Sequence, residues 1–218
     1  GGDFFTDYYF AETIRTGVQP YFDVYKAVAM SAVAIQGYKS AHENGAPYEI
    51  PDFKNSNAVR EKYKNDNWCP MPEFRDVQPN QPFASVYGDL PITEKAKELA
   101  RKHWVEIGYR VIGVGRGRAF VGSAKTVGME LVALCDTWEE KLEAVGKQFN
   151  VSTYTDYDKF LEHDMDAVIL ANYFHQHAPF AIKALEAGKH VMSETTAVIT
   201  MAEAAALVNK VEKTGKIY

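Results

Sequence analysis

The residues best suited to chemistry lie in the second half of the 218-residue chain. Gly113-Val114-Gly115-Arg116-Gly117-Arg118 follows a short apolar run and opens a helical pattern. In such a loop the first glycine permits a tight turn and the second lets a pyrophosphate approach the backbone. The helix start then offers free amides and a positive dipole end to the anion. Asp136 stands about 20 residues after Gly115, at the end of the next apolar run. A carboxylate there can accept hydrogen bonds from both hydroxyls of an adenosine ribose, and it repels a 2′-phosphate. The pattern therefore predicts a dinucleotide site with NAD preferred over NADP, held by Gly113, Gly115, Arg116, Gly117 and Asp136. It departs from the usual fingerprint at Arg118, where a third glycine or alanine is expected; Gly117 comes one residue early. Two other readings share the loop. One is a plain turn without ligand. The other is a methyltransferase using S-adenosylmethionine, which wants an acid where Val111 stands.

The elements that would position this loop alternate over residues 110–218. Arg110–Val114, Leu131–Cys135 and Ala167–Ala171 are apolar runs, with His190–Ser193 a shorter candidate. Continuous apolar runs suit strands buried on both faces of a parallel sheet. Thr137-Trp-Glu-Glu140 and Thr200-Met-Ala-Glu203 both fit a capping box. The helices they start run to about Gln148 and Lys213, and Gly188 and Gly215 sit where a left-handed stop is wanted. The fold class is α/β, a doubly wound parallel Rossmann sheet.

Residues 1–109 have a different grammar, mainly helical and irregular. Asp3 is the expected N-cap of a helix ending at Gly17. Asp23 caps a second helix, to about His42 with Gly45 beyond it. The small residues Ala27, Ala29, Ser31, Ala32 and Ala34 predict that this second helix is well buried. Seven prolines between Pro47 and Pro91 read as an extended tail wrapping over a surface. Thr93 starts an amphipathic helix to about Glu106, anchored by Leu99 and Trp104.

Composition narrows the function classes. A net charge of −5 argues against a general nucleic-acid binder. No apolar run is long enough to span a bilayer. Two cysteines, Cys69 and Cys135, are too few for a disulfide framework or a four-thiolate zinc site, and no metal site is expected. With no signal peptide visible, a reducing, cytoplasmic setting fits.

Residues 110–218 resemble the N-terminal domain of the Gfo/Idh/MocA family, named for glucose–fructose oxidoreductase and inositol dehydrogenase. The resemblance rests on Arg110-Val-Ile-Gly-Val-Gly115, on Ala167-Val-Ile-Leu-Ala-Asn172, and on His177-Ala-Pro-Phe-Ala-Ile-Lys-Ala-Leu-Glu-Ala-Gly-Lys-His-Val191. The first half is similar to the C-terminal end of the same family, at Gly1-Gly2-Asp3, Phe22-Asp23-Val24-Tyr25-Lys26-Ala27 and Ile50-Pro51-Asp52-Phe53. The segment that closes such proteins thus comes first here. The expected domains are 1–109, the C-terminal-like segment, and 110–218, an NAD-binding Rossmann domain that stops where its next strand should begin. The family's substrate-binding antiparallel sheet has no counterpart in these residues.

The resemblance implies hydride transfer between the cofactor and a small carbohydrate or cyclitol, and is compatible with a homo-oligomer. Family members usually carry Glu-Lys-Pro after the fifth strand; this chain reads Ser193-Glu194-Thr195-Thr196. Glu194 matches, and Thr195 stands at the lysine position, where a hydroxyl is neither a useful base nor a cation. Asn172, His177 and Glu194 are the implied cofactor contacts near the nicotinamide, with His177, Glu194 and Thr195 the candidates for catalysis. A histidine that merely caps the next helix is the other reading of His177. His175 is expected to face solvent, and Tyr173 to cover the cofactor ring. Glu140, Glu143 and Lys147 read as a solvated helix face, and His42, His103 and His163 as surface residues without partners. Two further functions stay open: an NAD-dependent glycoside hydrolase working by transient oxidation, and a nucleotide-binding fragment that is not an enzyme.

Overall fold

A computed structural model describes residues 2–68 and 117–218. The strand expected at 110–114, the helix expected at 93–106, Cys69, His103, Gly113, Gly115 and Arg116 lie outside the described residues. Those described form two compact units. One joins residues 2–68 to 164–218; the other holds residues 117–163.

The first unit opens with α1, Gly2–Thr16. Asp3 lies inside its first turn and complements the helix dipole there; it is not the N-cap that the sequence suggests. Gly17 ends the helix at φ +69°, a conformation that costs a residue with a Cβ. Helix α2, Val24–His42, starts at Asp23, whose carboxylate accepts from Lys26 N–H at 3.0 Å. Its small residues do not bury it all round. Val24, Val28, Ser31, Ala32 and Ile35 form a buried stripe, while Met30, Val33 and Tyr38 are more than half exposed. The proline-rich stretch also contains a helix, α3, Asn57–Tyr63, capped by Ser56 Oγ on Val59 N–H. It fits in the proline-free interval between Pro51 and Pro70.

The α/β pattern appears as two parallel strand pairs. In the second unit, α4 (Gly117–Thr126) precedes β1 (Ala133–Cys135), α5 (Glu139–Phe149), β2 (Ser152–Tyr154) and α6 (Tyr157–Leu161). Helix α4 begins at Gly117, so the glycine loop does open a helix. β1 and β2 pair in parallel, Ala133 opposite Ser152 and Cys135 opposite Tyr154. β2 carries no strand signal in the sequence: Ser-Thr-Tyr has no apolar run and two of its residues are exposed. The capping box expected at Thr137 does not form. Trp138 is the N-cap, without a side-chain hydrogen bond, and Asp136 Oδ1 accepts from Trp138 N–H at 2.9 Å. Gly146 lets α5 lie close on β2: a Cβ there would stand 2.3 Å from Thr153 Cγ2. Lys147 and Glu143 pair at 2.7 Å on the exposed face of α5.

In the first unit, β3 (Ala167–Leu170) and β4 (His190–Ser193) pair in parallel, joined by α7 (His177–Glu186). Helix α8, Met201–Thr214, follows with the full capping box: Thr200 Oγ1 accepts from Glu203 N–H at 3.1 Å, and Glu203 reaches back to the Thr200 amide. Gly188 and Gly215 stop their helices at φ +77° and +64°. Ile217 continues beside β4, its carbonyl accepting from Val191 N–H at 2.9 Å. The core of this unit is small-residue rich: Ala181, Ala184 and Leu185 of α7 and Ala202, Ala205, Leu207 and Val208 of α8 are essentially inaccessible. Alanines let the two helices approach closely and exclude water.

Helix α8 also packs on α2 and α3. The contact is fixed by Arg60 of α3, only 4% exposed. Its Nε donates to Phe53 O at 2.7 Å. Nη2 donates to Glu212 Oε1 at 2.7 Å and Lys54 O at 3.2 Å. Nη1 donates to Glu212 Oε2 and to Asn209 Oδ1. All five guanidinium N–H groups are thereby used. Tyr25 of α2 donates to Glu212 Oε1 at 2.7 Å. The Arg60 hydrogen bonds hold the Glu212 carboxyl below the usual carboxylate range, and burial pushes the Tyr25 phenol up. Arg60→Met should cost about 2–3 kcal/mol, because it strands two backbone carbonyls; Glu212, partly exposed, can rehydrate. Arg60→Lys should lose about half as much, keeping the charge but not the fork. Denaturant unfolding followed by circular dichroism measures both, and two unchanged midpoints would contradict the clamp.

Candidate functional site

Ligands of open α/β sheets sit at the carboxyl ends of the strands, so the candidate residues are sought there. In the second unit that end carries Asp136, directly after β1. Its main-chain N–H donates to Tyr154 O at 3.2 Å, which extends the ladder by one residue and fixes where the side chain leaves the strand. One carboxylate oxygen is used by Trp138 N–H. The neighbouring Cys135 thiol is pushed up to about 11, chiefly by burial and then by Asp136, so at neutral pH it is no thiolate nucleophile.

In the first unit two loops leave adjacent parallel strands. The loop after β3 runs through Asn172 and Tyr173 into a 3₁₀ turn, Phe174–Gln176. The loop after β4 runs through Glu194, Thr195 and Thr196 to Thr200. Asn172 and Thr195 are exposed, and Glu194 is partly so. The Asn172 amide donates to Gln176 Oε1 at 3.3 Å. Glu194 N–H donates to Leu170 O at 2.9 Å, so Glu194 leaves the β4 edge in register with the end of β3.

His177 lies between the two loops and is 1% exposed. Its Nδ1 is 2.8 Å from Thr196 O and its Nε2 is 3.1 Å from Asn172 O. Each loop thus contributes a carbonyl to one edge of the ring. The ring begins α7 without capping it through the side chain. His175 is also buried, at 4% exposure, and does not face solvent as expected. The 3₁₀ turn rotates it inward, where Tyr173 stacks on it at 5.8 Å and Phe174 meets it edge-on at 5.7 Å. Tyr173 and Phe174 are themselves 71% and 50% exposed, an aromatic surface beside Asn172. Phe174 was not singled out from the sequence; two adjacent aromatics after a strand end were the available signal. The other three described histidines also have partners: His190 Nδ1 accepts from Ile217 N–H at 3.0 Å. His163 Nδ1 lies 2.9 Å from the Tyr154 hydroxyl, and His42 meets the Trp68 ring edge-on.

Behind the loops is a second polar layer. Ser193 Oγ lies 2.6 Å from the Tyr218 hydroxyl, whose pKa burial pushes up to about 12. Glu203 Oε2 accepts from Ile199 N–H at 2.7 Å and from Thr200 N–H at 3.3 Å. Glu203 is 4% exposed, and burial pushes its carboxyl up to about 8 against the pull of those two amides.

Exposed aromatic rings, an amide, a hydroxyl and a carboxylate at the strand ends suit a nicotinamide ribose, and Asp136 suits an adenosine ribose. Among the described residues no His, Cys, Asp or Glu cluster could hold a metal, and no helix is long and apolar enough to cross a membrane.

Comparison with known proteins assigns the family. The model for the GFO_IDH_MocA oxidoreductase family, with its NAD-binding Rossmann fold, matches residues 107–218. The model for the glycosyl hydrolase 109 C-terminal domain matches residues 1–60, so a C-terminal type of segment does precede the Rossmann segment. Glycosyl hydrolase family 109 protein 1 of Bacteroides fragilis is 32% identical over 123 residues, covering 51% of this chain and 26% of the relative. Its counterpart in Shewanella sp. strain ANA-3 is 35% identical over 125 residues, covering 51% and 27%. The chain therefore spans about a quarter of the length of these curated relatives. Among solved structures, the WlbA dehydrogenase of Bordetella pertussis, in complex with NADH and UDP-GlcNAcA, is 28% identical with a TM-score of 0.45, covering 48% of this chain and 32% of that one.

The buried Glu203 gives a pH test. Its folded-state pKa is raised, so its stabilising contribution is full below the ordinary carboxylate range and is lost as pH rises through about 8. Stability should fall between roughly pH 5 and 8 with a slope of up to about 1.4 kcal/mol per unit from this group. Glu203→Gln keeps an acceptor for the two amides and should flatten the curve. Urea midpoints at several pH values measure the difference, and parallel curves would refute the assignment.

Proposed function

Because the chain belongs to the Gfo/Idh/MocA oxidoreductase family, with its NAD-binding Rossmann fold, we propose that it forms the nicotinamide-dinucleotide-binding part of a sugar-acting enzyme. Residues 1–109 serve as the family's C-terminal segment and 110–218 as its Rossmann domain. NAD is preferred over NADP. The observation that carries this preference is Asp136, whose carboxylate leaves the end of β1 beside the Trp138 amide. The glycine loop supports the pyrophosphate, and Asn172, Glu194 and Thr195 face the nicotinamide end. Bound nicotinamide supplies a hydride acceptor for a sugar carbon. Glu194 can take a proton or a hydrogen bond from the sugar; Thr195 can only share a hydrogen bond at neutral pH.

Of the two carbohydrate readings, glycoside hydrolysis with transient oxidation has the more specific support. Two findings lead to glycosyl hydrolase 109: residues 1–60 match its C-terminal domain, and its curated members align with 51% of this chain. Net sugar dehydrogenation is the second reading, supported by the oxidoreductase family itself. Among the described residues there is no antiparallel sheet to position a sugar, so turnover by the 218-residue chain should be near background. Thr195→Lys should not raise it, because a base without a positioned substrate gains little.

Calorimetric titration tests the cofactor reading. NADH should bind at least about tenfold more tightly than NADPH, a difference of about 1.4 kcal/mol. Asp136→Asn keeps the acceptor for Trp138 but removes the charge, and should erase most of that preference. Equal affinities in the unchanged chain would overturn it. Incubation with NAD and aryl glycosides checks the turnover: neither aglycone nor NADH should rise above background, whereas aglycone release without net NADH would mark hydrolysis and accumulating NADH would mark dehydrogenation.

A further inference from the structure

We infer that His177 is a positioning residue whose imidazole clamps the loop after β3 to the loop after β4, and so sets the gap in which the nicotinamide half of the cofactor is held. The inference rests on the cofactor reading above and deepens it, because it moves His177 from contact with the cofactor to control of the groups that make that contact.

The geometry leaves the ring little else to do. It is 1% exposed, and both nitrogens already face backbone carbonyls, Thr196 O at 2.8 Å and Asn172 O at 3.1 Å. A neutral imidazole donates through one nitrogen and the imidazolium through both, so in either form the ring is engaged by the chain's own main chain. The two carbonyls belong to residues flanking the candidate contacts. Asn172 is itself one of them, and Thr196 follows Glu194 and Thr195 directly.

The loop after β4 is held at three points. Glu194 N–H is bonded to Leu170 O at its start, Thr196 O faces His177 in its middle, and Ile199 and Thr200 N–H are held by Glu203 at its end. The first point belongs to the strand ladder and the last to the start of α8. The middle point ties this loop to the one after β3. Removing it leaves both loops attached to their strands but no longer to each other through the ring. The exposed Thr195 lies between the first and middle points, so its position depends on both.

The test uses the full chain. His177→Phe keeps the ring's bulk and removes both nitrogens from the two carbonyls; His177→Asn and His177→Gln each keep an N–H donor for one of those carbonyls. Three readouts are taken: circular dichroism, amide hydrogen exchange over 172–176 and 194–200, and affinity for NADH and for ADP, which lacks both the nicotinamide and its ribose. We expect His177→Phe to retain its helix content, to exchange faster in both loops together, and to bind NADH about tenfold more weakly with ADP affinity unchanged. His177→Asn or His177→Gln should recover part of the loss. If His177→Phe itself fails to fold, the two amide variants carry the same comparison. Unchanged NADH affinity, or an equal loss for both ligands, would overturn the inference, the second because a general structural defect weakens both alike. Unchanged exchange in the two loops would overturn it as well. Should the unaltered chain bind neither ligand, the cofactor reading fails, and the exchange data still decide whether the clamp exists.

Discussion

A buried guanidinium must be neutralised and hydrogen-bonded where it sits, and the first unit is arranged around that requirement at Arg60. Water cannot solvate the group, so five protein acceptor contacts replace it. Two are main-chain carbonyls just before α3, and three come from Asn209 and Glu212 on α8. The result ties a turn, a short helix and a long helix into one geometry. Tyr25 adds α2 through the same carboxylate. Glu212 is partly exposed, so the gain lies less in Coulomb attraction than in leaving no donor unpaired.

Helix α8 transmits that geometry to the strand ends. One side carries Ala202, Ala205, Leu207 and Val208 into the core; residues toward its C-terminus receive Arg60. Its first turn then holds the preceding loop through the Thr200–Glu203 capping box. The loop with Glu194 and Thr195 is thus suspended between the β4 ladder and a helix that other elements have already placed. Rigid elements at both ends are what a loop needs in order to present side chains reproducibly. The cost of the arrangement is a buried carboxyl with a raised pKa, offset in part by two main-chain amides.

The two matched segments stand in reverse order along the chain, yet α2 and α3 of the first pack on α8 of the second. Burial and hydrogen bonding act between surfaces and take no account of which segment was synthesised first. The stripe of Val24, Val28, Ala32 and Ile35 supplies the apolar side of α2, and Arg60 supplies the specificity.

Local signals were legible in the sequence where one residue satisfies one rule. Asp23 before an amphipathic run, Thr200 three residues before Glu203, and glycines at 17, 188 and 215 each mark a helix end that the structure confirms. The apolar runs at 167–171 and 190–193 read as strands, but they are not buried on both faces: Val168, Leu170 and Val191 are inside, while Ala167, Ile169 and His190 are only partly covered. Other positions were decided only by the tertiary structure. Thr137 has a capping spacing but does not cap: Trp138 takes the N-cap position, and Asp136 Oδ1 accepts from its amide. Ser152–Tyr154 became a strand through pairing with β1, since it has no apolar pattern of its own. His175 turned inward because a 3₁₀ turn, invisible in composition, set its direction. His177 and Glu194 could be picked out as residue types at telling positions, but the two carbonyls facing His177 come from residues 5 and 19 positions away. Sequence order records which groups are available; only the packing of α7 between β3 and β4 decides which of them meet.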